Sequence, residues 1–141
     1  MTRQPVLAGY RRTSGRPFPI QRLLLVPIVG GIVPTAVLYW ANTRRLPLGP
    51  SRERKLASLT AAAALVLAGL GLVSEEGFGA ALLIWDRPVA VVYWLLARLN
   101  QRAVDRAYHE RGGYVPGIPT AVAAMAAGVA LTLLLKLAFG V

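Results

Sequence analysis

The 141-residue chain has no cysteine. That excludes disulfides, zinc–thiolate sites and thiol catalysis, and it leaves the redox compartment open. The one histidine, His109, has no second His or Cys near it, so no metal-ligand spacing is present. Acidic residues number six against sixteen basic ones, and only two of the basic residues are lysine. Charged residues make up 16% of the chain, where a soluble domain carries about 25%. The sequence contains no Ser/His/Asp grouping, no phosphate-cradling glycine loop and no redox motif; Gly30-Gly31 lies inside an apolar run. Neither enzymatic activity nor a cofactor or metal is expected.

The charges that remain fall in blocks between four long apolar runs, a pattern of membrane spans rather than of a water-soluble core. The expected fold is all-α: one integral membrane bundle of four transmembrane helices, with spans near 23–41, 56–73, 78–97 and 120–139. A net charge of +10 would suggest nucleic acid in a soluble protein. Here the basic blocks read instead as cytoplasmic loops facing anionic lipid headgroups, with no nucleic-acid partner. The bias toward Arg, Ala, Leu, Gly and Val is that of a GC-rich bacterial genome, and points to the bacterial plasma (inner) membrane.

Residues 1–22 form a basic tail with Arg3, Arg11, Arg12, Arg16 and Arg22, lacking hydrophobic periodicity and expected to be disordered. Arg11-Arg12 is not a twin-arginine signal, because the apolar run starts only at Leu23. The first run, LLLVPIVGGIVPTAVLYWA, carries Pro27, Gly30, Gly31 and Pro34. It is either a kinked span or a re-entrant hairpin turning at Gly30-Gly31. Its length and apolarity favour the span.

The loop 42–55 is strongly basic, and Ser51 is a good N-cap for the second span. That span is uncharged, with Ala57/Ala61 and Ala64/Ala68 spaced for close helix approach; Ala124/Gly128 and Ala126/Ala130 repeat the pattern in the fourth. SEEG, residues 74–77, is a tight acidic turn. The third span holds Asp86, Arg87 and Pro88 well inside its length. A bare charge there costs several kcal/mol. Either Asp86 caps a fresh helix beginning at Pro88, or the pair faces the bundle interior and finds partners on other helices. The candidate intramembrane polar cluster is Asp86, Arg87, Lys136, Glu75 and Glu76, with Asp86 or a nearby glutamate pairing with Lys136. Beyond Ala97 the helix continues as an amphipathic basic extension toward Gly112-Gly113. Arg98, Arg102 and Arg106 recur every four residues as a headgroup-facing stripe.

The positive-inside rule places loops 42–55 and 98–118 in the cytoplasm. With four spans it exports the arginine-rich tail, whereas a re-entrant first segment would keep all fourteen flanking basic residues inside. The four-span arrangement is the one expected.

The run GGIVPTAVLYWANTRRL, followed by a basic loop, an alanine-leucine span and a third helix with a charged extension before Gly-Gly, resembles a loose group of small bacterial four-helix integral membrane proteins. The matching residues are Gly30, Gly31, Asn42, Arg44 and Arg45. The resemblance implies topology and no activity, and does not extend to Asp86-Arg87. The expected role is a non-enzymatic accessory or structural subunit packing through Ala/Gly faces, as a homo-oligomer or within a larger membrane complex. The alternatives are an oligomeric small-solute or ion transporter with a polar site at Asp86/Arg87, and a membrane-surface binding module using the basic tail.

Overall fold

The computed structural model describes residues 24–45, 49–75, 77–109 and 117–140, and every element among them is helical. The basic tail and Glu76 lie outside the described residues. A five-residue π-helical segment, Val26–Gly30, leads into α1 (Ile32–Thr43), followed by α2 (Pro50–Val73), α3 (Phe78–His109) and α4 (Gly117–Phe139). Among the described residues, three helices are long and apolar enough to cross a membrane: α2, the Phe78–Arg102 part of α3, and Pro119–Phe139 of α4. At 21 to 25 residues each they rise about 31–37 Å, against a hydrocarbon core of about 30 Å.

The first apolar run is not a fourth helix of this kind. In a straight helix Val26 and Leu38 would lie about 18 Å apart. Instead Val26 packs with Leu38 and Ala121, and borders the same closed gap as Thr35, Tyr39 and Trp94. The chain therefore turns back on itself at Gly31, which has φ 81° and ψ −166°. The two prolines that read as kinks act as helix starts. Pro27 sits in the first turn of the π segment and Pro34 in the first turn of α1, where a missing N–H leaves no bond unmade. The single continuous segment 23–41 is thus corrected to a hairpin whose second limb, α1, rises only about 18 Å over its 12 residues.

Helix α3 serves as a ruler for the bundle. At its start, Phe78 packs against the Phe139 ring at a tilt of 55° and lies against Gly71, so α2 ends and α4 ends at that level. Eight residues on, Asp86 meets the hairpin turn. Seven and eight further, Tyr93 and Trp94 join Tyr39, Leu56, Ala63 and Ala97 in the main apolar cluster. The rings of Tyr39 and Tyr93 meet edge to face at 6.1 Å. At the far level Asn100 and Arg52 exchange side-chain-to-carbonyl hydrogen bonds, both 3.1 Å, which fixes the start of α2 beside α3.

Helix starts and small-residue faces also differ from expectation. Helix α2 is capped at Gly49 with Pro50 as its first residue, two residues earlier than a cap at Ser51 would give. Its buried face is Leu56, Ala63, Leu67 and Gly71, while Ala57 and Ala61 point outward. Gly128 does meet another segment, but its partner is the backbone of Gly30. Helix α3 runs unbroken through Pro88, so Asp86 does not cap a new helix there.

Candidate functional site at the hairpin turn

A helix that begins inside an apolar layer exposes backbone N–H groups where no water can reach them. The first N–H of α1, on Ile32, donates to Oδ1 of Asp86 at 3.0 Å. Asp86 is a capping residue contributed by another helix, 54 positions away in sequence. Its carboxylate lies so close to Gly31 that a Cβ there would overlap it. Thr35 closes the turn from the other side, its hydroxyl donating to the Gly31 carbonyl at 2.7 Å.

Asp86 and Arg87 border a small cavity of about 140 Å³ between the turn and α4, together with Gly30, Gly128 and Thr132. Asp86 is partly buried and Arg87 exposed. Lys136 is exposed near the end of α4, and Glu75 is exposed at the acidic turn. The expected pairing of Asp86 with Lys136 is not formed; its carboxylate is taken by the Ile32 amide. Of the five residues grouped by the sequence, Asp86 and Arg87 border one small cavity, Glu75 and Lys136 are exposed, and Glu76 lies outside the described residues. In the basic stripe, Arg98 lies over the Trp94 ring at 5.2 Å, Arg102 is exposed, and the Arg106 side chain is outside the described set.

Two polar networks, one buried and one part-buried, went unforeseen. Gln101 is fully buried; its amide donates to the Thr43 hydroxyl at 3.0 Å and more weakly to the Tyr39 carbonyl at 3.5 Å. Asn42 donates to the Gln101 side-chain oxygen at 3.3 Å. Half-way along, the Thr60 hydroxyl donates to the Leu56 carbonyl and accepts from the Trp40 indole at 3.2 Å. Having used its one proton, Thr60 must also accept from the Tyr93 hydroxyl, 3.0 Å away. A signal for Gln101 was present: Ala90, Tyr93, Trp94, Ala97 and Gln101 share one face of α3, and all are buried. Leu95 and Leu99, on another face of α3, are exposed.

The capping geometry makes a direct prediction. Asp86→Asn keeps an oxygen acceptor for Ile32, whereas Asp86→Ala strands that amide, at about 1–3 kcal/mol. Denaturation in detergent, followed by tryptophan fluorescence, should show Asp86→Asn near the parent and Asp86→Ala clearly lower. Equal losses in the two variants would mean that the negative charge, and not the acceptor, is what matters.

The fold and this site define, among the described residues, a helical bundle with three helices of membrane-spanning length and a half-height hairpin capped by an aspartate from the interior of α3. No protein-family model matches the chain, and neither a curated protein nor a solved structure matches it.

Proposed function

We propose that this chain is a multi-pass protein of the bacterial inner membrane, with three spans and one re-entrant hairpin, acting as a non-enzymatic accessory or structural subunit. The observation that carries the reading is how its polar groups are used. Asp86 is spent on the hairpin turn, and Asn42, Thr43, Thr60, Tyr93 and Gln101 satisfy one another inside the bundle. Its apolar surface is turned outward: Leu72 and Leu137 are each 81% exposed, which suits contact with acyl chains or another apolar chain.

The hairpin also bears on the charge conflict. Its second limb, α1, ends beside Gln101, and Arg44, Arg45, Arg52 and Arg98 lie at that end. The positive-inside rule puts that end in the cytoplasm, and with the chain reversing at Gly31 this reading expects the arginine-rich tail on the same side. Because the chain has no cysteine, single introduced cysteines report the topology cleanly. Ser14→Cys and Ser51→Cys should react with an impermeant maleimide only after the membrane is opened to the cytoplasmic side, and Glu75→Cys only from the opposite side. Labelling of Ser14→Cys from the Glu75 side would overturn the hairpin in favour of a fourth span.

A second reading draws on the discontinuous first segment, since interrupted helices surround substrate sites in many transporters. In it an oligomer moves a small solute or ion past Asp86 and Arg87. Solute flux in proteoliposomes that falls with Asp86→Asn, in a folded protein, would favour this reading over the first.

A further inference from the structure

The half-height hairpin leaves a groove that a full span would have filled. One face of α1, from Ile32 through Trp40 to Arg44, lines it on one side. Thr60, Ala64, Leu67 and Ala68 of α2 line the other, and Phe78 and Leu82 of α3 close its inner end. It encloses about 710 Å³, within the range of about 300–1,000 Å³ typical of ligand pockets. Its walls are apolar except at one end, where Arg44 stands just beyond the last turn of α1. The Arg44 side chain is exposed and has no hydrogen-bonding or ionic partner among the described residues. Thr60, the polar residue part-way down, is already saturated by Leu56, Trp40 and Tyr93, so it offers nothing to a polar guest.

We propose that this groove binds one anionic glycerophospholipid, its phosphate on Arg44 and one acyl chain lying along α1. The proposal rests on the membrane placement above. Two features commit it to that occupant. The length fits: from Arg44 to Ile32 the helix rises about 18 Å, close to one leaflet, half of a hydrocarbon core of about 30 Å. The charge fits: a guanidinium presents a planar fork of donors to a phosphate, and an apolar channel leads directly away from it. A free phosphate would leave the apolar walls empty, and a neutral chain would leave Arg44 unpaired.

The test is native mass spectrometry of the full chain released from detergent micelles, with phosphatidylglycerol or diacylglycerol, which has the acyl chains but no phosphate, added at matched concentrations. The expected result is one retained lipid per chain, with phosphatidylglycerol held roughly tenfold more tightly, the contribution of one charge-assisted phosphate contact. Arg44→Gln should bring phosphatidylglycerol down to the level of diacylglycerol, while Arg54→Gln, an exposed arginine on the same end but outside the groove, should not. Ala64→Phe, which fills the groove from its exposed side, should reduce both lipids with helicity retained in circular dichroism. A preference that survives Arg44→Gln, or occupancy that survives Ala64→Phe, overturns the proposal. A chain that stays monodisperse without detergent would instead defeat the membrane reading itself, so the two failures are distinct.

Discussion

Gly31→Ala is expected to destabilise the protein by about 2–6 kcal/mol, from two separable sources. The first is the backbone. With φ 81° and ψ −166°, Gly31 occupies a region essentially reserved for glycine. Asparagine, which tolerates the left-handed helical region, gains nothing here because ψ is far from about +47°. The second source is contact: the new Cβ falls on the Asp86 carboxylate, and displacing that group frees the Ile32 amide. A double-mutant cycle separates the two. In Gly31→Ala with Asp86→Ala the collision is already relieved, so the losses should be less than additive by about 1 kcal/mol or more. Strict additivity in chemical denaturation would show that the carboxylate and the turn do not act on each other.

Gly128→Val should be comparably damaging, for a different reason. The position faces backbone, since a Cβ on Gly128 would sit within the carbonyl and Cα of Gly30. Side chains can rotate away from an intruding methyl, but two main chains cannot. Even Gly128→Ala should cost about 1–3 kcal/mol, the usual range for overpacking, and valine more. Gly69 is the internal control. It lies in α2 with nothing within 4 Å of an added Cβ, so Gly69→Ala should be neutral or stabilise by up to about 1 kcal/mol through helix propensity. Thermal melts of the variants in one detergent check the contrast. Equal effects at Gly69 and Gly128 would count against the close approach of the π segment to α4.

How much of this could be read from residues alone depended on whether the deciding interaction was local. The long helices were legible because apolar length and turn residues are local properties. Pro27, Gly30, Gly31 and Pro34 were legible as a disruption but not as a reversal, since a kink and a hairpin share the same residue types. The choice depended on Asp86, 54 positions downstream, supplying an acceptor to Ile32. Asp86 itself stood out as a charge in an apolar run. Its nearest apparent solution was a cation, because ion pairing can be guessed from a list of charges and an unsatisfied amide cannot. The excess of arginine already favoured the hairpin, and only the length of the apolar run argued against it. Gln101 and Asn42 were missed because uncharged amides carry no signal until the face they share with Ala97 and Tyr39 is known.

The cap on Ile32 also orders events in time. Synthesis proceeds from the N-terminus at about 5–20 residues per second, so Asp86 is made roughly 3 to 11 s after the amide it must satisfy. The hairpin is therefore made before the residue that caps its turn. Until the third helix arrives, it waits with an open helix end and no acceptor.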